Sequence, residues 1–474
     1  MLEGIYIHQQ PRSHLMGYTI RQIQPDHKFC QDLSLDALTR VIPPEAVRAV
    51  VTETGTRATR ERKLTAEATI WVLIAMTLYA PLALGDVVRK VAQGLRFIWP
   101  DPTIAVAGAP ALVYRRYQLG ARPLQALFAR VAGPLATPAT VGAFRYGLRL
   151  LAIDGTVEDA PDTPANAAAF GRQRGSRGDS AFPQVRGVYL AECGTHAIVD
   201  AEFGPYAMGE RAGALALLRS IARGMLVLWD SGFHSYALLA AVRGRGAHVL
   251  ARLPAHVVPQ PMRPLADGST LAYLRAPRGS RQARLLVRVI TYTLTDPARP
   301  GYGETHRVLT TLLNPVLAPA HDLVCLYHER WEIELVIDEV DTHQRLAGRP
   351  LRSRKPDGVL QELYALLLAH YAVRALMHEA ALQQGLDPDR LSFVHALRVI
   401  TDAVPEFQMV APQAVPLLYA RLLADIAAGR LPPRRNRTNP RVVKRKMSKF
   451  ALKRVHHAER PPLTRSFAAA VALI

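Results

Sequence analysis

Cysteine is almost missing from this chain. Only Cys30, Cys193 and Cys325 occur in 474 residues, odd in number and far apart, so neither a disulfide framework nor a cysteine-rich zinc site is expected. That usage fits a reducing, cytoplasmic compartment. Acidic residues are also short, with 39 Asp and Glu against 59 Lys and Arg and a formal net charge of +20. The deficit points to a polyanionic partner such as nucleic acid, with a merely basic soluble protein as the plainer alternative. No GxxxxGK[ST] loop occurs, which argues against a P-loop ATPase. The first 30 residues mix His, Gln, Arg and Asp with short apolar pieces, so no secretory leader is read there. Long apolar runs are lacking too, apart from residues 68–84. Pro81 interrupts that run and Glu67 and Asp86 bracket it, so a buried helix is expected in preference to a membrane span.

What is present suffices for a folded protein of two or three domains, since 49% of residues are hydrophobic. Residues 1–30 form an N-terminal extension. From 31 to 147 the apolar spacing is helical, with basic residues at the turns (Arg57, Arg60, Arg62, Lys63; Arg89, Lys90; Arg115, Arg116), which suits a DNA-binding module or an ordinary helical packing domain. From 148 the pattern changes to short apolar runs at 150–153, 185–190, 197–199, 225–229 and 248–253, with helical stretches at about 209–223 and 235–243. Three closely spaced strands followed by helix, strand, helix, strand predict an α/β domain with a mixed central sheet, spanning 148–380. A β-rich insertion is expected at about 254–313, then helices from about 322 to 345 and 360 to 384. Residues 381–474 form a C-terminal helical region with a basic arm at 430–454 that contains no Asp or Glu. Such a block, which includes Lys444, Arg445 and Lys446, neutralises phosphates or is a solvated tail.

Two apolar runs each deliver an aspartate into a glycine-containing turn: Leu-Leu-Ala-Ile-Asp154-Gly155 and Leu-Val-Leu-Trp-Asp230-Ser231-Gly232. Both carboxylates are expected at the C-terminal rim of the sheet, where ligands of α/β sheets bind. Asp before Gly is also a common turn choice, so the pairing carries the signal. Tyr327, Arg330 and Glu334 recur at i, i+3 and i+7, one stripe of a helix at about 100° per residue. That face offers a hydroxyl, a fork-shaped cation and a carboxylate; an exposed Arg330–Glu334 pair is the plainer reading. Arg172, Arg174 and Arg177 lie among glycines in a stretch suited to gripping a DNA backbone. His196, His234 and His343 show no metal-ligand spacing, and Glu192, Glu210 and Asp338 are reserve carboxylates.

Together the motifs AIDGT, residues 161–186, LVLWDSGF and YHERWEIE resemble those of bacterial insertion-sequence transposases of the IS-four group. The resemblance runs from about residue 29 to 380. It implies an RNase H-like catalytic domain with the β insertion before the last catalytic helix, and a DDE triad of Asp154, Asp230 and Glu334 holding two Mg²⁺ ions, with Mn²⁺ as a substitute. It implies cut-and-paste transposition of an insertion sequence, acting on double-stranded DNA as a homodimer in a synaptic complex, within the cytoplasm at the nucleoid. The group's signature is Tyr, two residues, Arg, three residues, Glu, six residues, Lys, and the last position here is Asp341, so the phosphate contact of that Lys is either missing or supplied by a neighbour such as Arg345. Ser231 stands where the group more often has Arg. A two-metal nuclease without strand transfer and an inactive DNA-binding relic are the rival readings.

Overall fold

The structure, a computed structural model, describes residues 20, 33–57, 64–98, 108–175, 178–276, 284–345, 348–432, 442–443, 451–454, 463 and 465–474. Its centre is set by alternation along five strands: β1 (Leu148–Asp159), β2 (Gln184–Glu192), β3 (Ile198–Pro205), β4 (Met225–Trp229) and β5 (His248–Arg252). In β1, Leu150 and Ala152 join one core while Leu151 and Ile153 join another on the opposite face; in β4, Leu226 and Leu228 separate from Val227 and Trp229 in the same way. Apolar residues on both faces demand cover on both sides. Helices Glu210–Ala216 and Tyr236–Gly244 supply it on one face. Helices Ala320–His328, Trp331–Asp338 and Pro356–Gln384 supply it on the other.

The insertion contributes β6 (Gln260–Pro264), β7 (Thr270–Leu274), β8 (Leu285–Leu294) and β9 (His306–Thr310). The strand order is β3-β2-β1-β4-β5-β9-β8-β7-β6. β1, β4 and β5 are mutually parallel and β2 is antiparallel to both its neighbours, an RNase H-like arrangement. Antiparallel pairing of β9 with β5 makes the insertion a continuation of the central sheet. β10 (Val471–Leu473) then pairs with the far end of β8. Just before β10, Phe467 stacks on His328 with ring centroids 4.2 Å apart, and Ala468 O lies 2.9 Å from His321 Nε2.

The 68–84 run forms helix Ala66–Leu78, buried along almost its whole length, and among the described residues no helix is long and apolar enough to cross a membrane. Each fully buried Leu, Ile or Val contributes about 1.5–3 kcal/mol. This helix packs on Pro356–Gln384, and the Tyr79 hydroxyl donates to Thr401 O at 2.7 Å. N-terminal and C-terminal helices thus share one core.

Three expectations are corrected by the fold. The strand through Asp154 does not stop there but runs to Asp159, because antiparallel β2 stays paired from Leu151↔Glu192 to Asp159↔Gln184. The helix expected at 322–345 comes in three pieces: Ala320–His328, Trp331–Asp338 and a π-helical turn Glu339–Gln344. Inward polar side chains at Glu332 and Glu339, held by partners on other elements, pull the helix from regular winding. Arg115 and Arg116 are buried rather than part of a basic rim; Arg116 donates to Ser353 at 2.7 Å and pairs with Glu362.

Candidate active site

β1 and β4 are paired in parallel up to Ala152↔Leu228. Two residues further in the same register come Asp154 and Asp230, side by side on strands roughly 4.8 Å apart and facing the Trp331–Asp338 helix. β4 ends there, while β1 continues. Asp154 Oδ1 accepts the Gly155 N–H at 2.8 Å. Asp230 Oδ1 accepts the N–H of Gly232 at 2.8 Å and of Phe233 at 3.3 Å, which fixes the carboxylate over its own turn.

Glu334 approaches from the helix. Arg330 Nη2 donates to Glu334 Oε1 at 2.8 Å, and Arg330 Nη1 lies 3.5 Å from Asp154 Oδ2. One buried guanidinium therefore spans carboxylates 180 residues apart in the chain. Burial pushes the Asp154 carboxyl up to about 6, and the nearby charges of Asp230 and Glu334 add to the rise against the Gly155 N–H and Arg330. Burial works against the Arg330 charge, but Tyr327, Glu334 and Asp154 outweigh it and raise its pKa. Burial also pushes the Tyr327 hydroxyl up to about 12, leaving it a donor at neutral pH.

This donor set fits hard divalent cations. Three carboxylates offer oxygen alone, and Arg330 sits where positive charge is needed. Folding favours the neutral form of Asp154, so its stabilising contribution is complete below the ordinary value of 3.8 and is lost as pH rises through about 6. A cation must displace that proton. Mn²⁺ binding, followed by isothermal titration, is expected to weaken by up to about tenfold per pH unit below 6 and to be nearly flat from pH 7 to 8; uniform affinity down to pH 5 would exclude Asp154 as a ligand.

Other expected residues are dispersed. Asp341 Oδ2 accepts from the Thr156 hydroxyl at 3.0 Å, one rung along β1 from Asp154, and burial pushes its carboxyl up to about 6. Arg345 is committed to buried Glu158 and donates to Arg349 O at 2.9 Å, so it does not stand in for the signature lysine. Arg172 pairs with Asp162 and donates to Ser180 O at 2.9 Å, bracing its own loop, while Arg174 is exposed. Arg177, Lys444, Arg445 and Lys446 lie outside the described residues. Of the reserve carboxylates, Glu192 is buried among Arg149, Thr195 and two backbone N–H groups, and Asp338 is bonded to Thr342. Sequence reasoning missed a groove beside Ser231 and Gly232, lined by Arg252, His256, His306 and Arg307. Arg252, His306 and Arg307 sit at the ends of β5 and β9, whose pairing no local pattern announces, and His256 lies in the loop that follows β5.

Spacing along the chain offers His196 no metal partners, yet folding brings it to Glu332 and Asp389, with ligand atoms all within 4.8 Å. Arg374 Nη2 lies 2.6 Å from His196 Nδ1 and also pairs with Glu339. Burial and Arg374 work against a charge on this ring, but Asp389, 3.0 Å from Nε2, and Glu339, 3.4 Å from Nδ1, push the imidazole up to about 9, so a ring protonated on both nitrogens keeps no lone pair for a metal. The group is an internal ion network. Glu332 also accepts the Gly194 N–H at 2.6 Å, which ties the Trp331–Asp338 helix to the β2–β3 turn.

Known proteins resemble this chain along most of its length. Residues 32–129 match the family described as insertion element 4 transposase N-terminal, and residues 145–372 match the transposase DDE domain. The chain is 31% identical over 420 residues to the transposase InsG for insertion sequence element IS4 of Escherichia coli K12, covering 88% of this chain and 93% of that one. It is 26% identical over 234 residues to the putative transposase InsZ of the same organism, covering 48% of this chain and 75% of that protein. Among solved structures, a piggyBac transposase synaptic complex with hairpin DNA aligns over 84% of this chain and 87% of that one, at 12% identity and a TM-score of 0.44.

Proposed function

Because the chain belongs to the IS4 family of DDE transposases, we propose that it cuts an insertion sequence out of DNA and joins it to a target, with Asp154, Asp230 and Glu334 as the catalytic carboxylates. The observation that carries this reading is the meeting of Asp154 on β1 and Glu334 on the Trp331–Asp338 helix at Arg330, with the Asp230 charge close enough to act on Asp154. The triad would hold two Mg²⁺ ions, which when bound supply a more acidic water and charge for the departing 3′ oxygen. Asp230 is oriented by its turn and Asp154 by the Gly155 N–H, so neither must be reorganised when DNA arrives. Arg330, once other cations balance the carboxylates, can turn its planar fork to two phosphate oxygens. Tyr327 keeps its proton to about pH 12 and can donate to a third. Arg252, in the groove beside Ser231, supplies a cation next to the Asp230 turn.

The freed 3′-hydroxyl would attack target DNA at the same carboxylates, with no covalent link between protein and DNA. Residues 31–147 are assigned to binding element ends, and a homodimer to holding two ends together. The deciding experiment incubates purified protein with element-end DNA, a target plasmid and Mg²⁺. Joined products are expected; cleavage without joining would leave a two-metal nuclease, and Mg²⁺-independent binding without cleavage would leave a relic.

The arm at 430–454 is assigned to phosphate neutralisation. Changing Lys444, Arg445 and Lys446 together to Gln is expected to lower the slope of log K against log salt by about 2–3, since each phosphate contact contributes about 0.9. An unchanged slope in filter-binding titrations would remove the arm from the interface.

A further inference from the structure

Helix Glu210–Ala216 lies on the sheet face opposite the Trp331–Asp338 helix, and Glu210 is its first residue. Arg211 Nε donates to Gly232 O at 3.1 Å, which fastens the start of this helix to the Asp230 turn. Arg186 Nη1 donates to Glu210 Oε1 at 2.9 Å and leaves Oε2 turned toward the rim. Two glycines measure how close that carboxylate comes. A Cβ on Gly155 would stand 3.3 Å from Glu210 Oε1, and a Cβ on Gly232 would stand 3.6 Å from Glu210 Oε2 and 3.1 Å from Asp230 Oδ1. Glu210 Oε2 and Asp230 Oδ1 thus lie within 3.6 Å of one point. Neither glycine has a positive φ, so what they provide is space beside the carboxylates and not an unusual backbone.

We propose that Glu210 is a fourth carboxylate of the metal site, reaching the Asp230 side of the rim from the opposite face of the sheet. The proposal rests on the two-metal reading above. A hard cation beside Asp230 takes several oxygens, and Glu334, engaged on the Asp154 side through Arg330, leaves that side short of donors. Glu210 is held by an arginine through one oxygen, and its side chain stays partly exposed, as a carboxylate that must admit an ion requires.

The test uses the full chain without DNA, read by Mn²⁺ titration with electron paramagnetic resonance and by backbone cutting from Fe²⁺ with ascorbate and peroxide. Glu210→Gln is expected to weaken Mn²⁺ binding by at least fivefold. Arg186→Gln removes the same ion pair from its other end and should leave Mn²⁺ binding no weaker. Fe²⁺ should cut the unmodified chain next to Glu210 as well as at 154–155 and 230–232, an outcome that decides the matter even if Glu210→Gln does not fold. Unchanged Mn²⁺ binding in Glu210→Gln, equal weakening in Arg186→Gln, or cuts at 154–155 and 230–232 without one at Glu210 would overturn the proposal. Asp154→Asn with undiminished Mn²⁺ binding and no Fe²⁺ cutting at all would instead overturn the two-metal reading beneath it.

Discussion

Substituting Asp154 by Asn is expected to abolish cleavage of element-end DNA, by roughly 10³-fold or more, while the metal-free protein melts at a higher temperature than its parent. Loss of a carboxylate from the centre removes several kcal/mol of charge stabilisation in the transition state. The gain in stability has a separate origin. Burial and two neighbouring carboxylates hold Asp154 up at about 6, so at pH 7.5 its charge opposes folding by about 1–3 kcal/mol, which the neutral amide relieves. Glu334→Gln should be equally inactive without that gain, because it takes away the negative charge 2.8 Å from buried Arg330. Both variants should bind end DNA almost as the parent does. Measurable cleavage by either would remove that residue from the triad, and a lowered melting temperature in Asp154→Asn would contradict the electrostatics described.

Arg374→Met has the largest expected effect on stability. Arg374 is 2% exposed and pairs with Glu339, which otherwise has His370 Nε2 at 3.2 Å and His196 Nδ1 at 3.4 Å. Removing one member of a buried ion pair leaves the other charge uncompensated, at a cost of about 3–5 kcal/mol. For a chain of this size that is a fall of roughly 3–5 °C in thermal melting. The doubly neutral Arg374→Met with Glu339→Leu should recover much of the loss. A single substitution that melts within about 1 °C of the parent would show that the network contributes little, and with it the anchoring of the Trp331–Asp338 helix.

Much of the site could be read along the chain because its parts are locally marked. An apolar run delivering Asp into a glycine-containing turn marks Asp154 and Asp230 as candidates, and helical spacing joins Arg330 to Glu334. What could not be read depends on partners distant in sequence. GTVED after Asp154 looks like a polar turn, yet it is strand, because β2 supplies its hydrogen bonds. Residues 322–345 look like uninterrupted helix, yet Glu332 and Glu339 turn inward to Gly194, His196 and Arg374, which lie on other elements. Glu210 opens a short helix like many surface glutamates do; only the folded sheet puts it beside Gly155 and Gly232. Basic residues misled for the same reason. Arg116 and Arg345 resemble phosphate ligands by composition, and each is spent on an internal glutamate.

The pairing of β10 with β8 changes how the polypeptide between Leu431 and Arg465 should be regarded. Leu431 is bonded to Arg390 at one boundary, and Arg299 donates to Arg465 O at the other. Whatever path the intervening residues take, both of their ends are moored to the body. A single proteolytic cut between those moorings would therefore leave both fragments attached through their folded ends, without removing one positive charge.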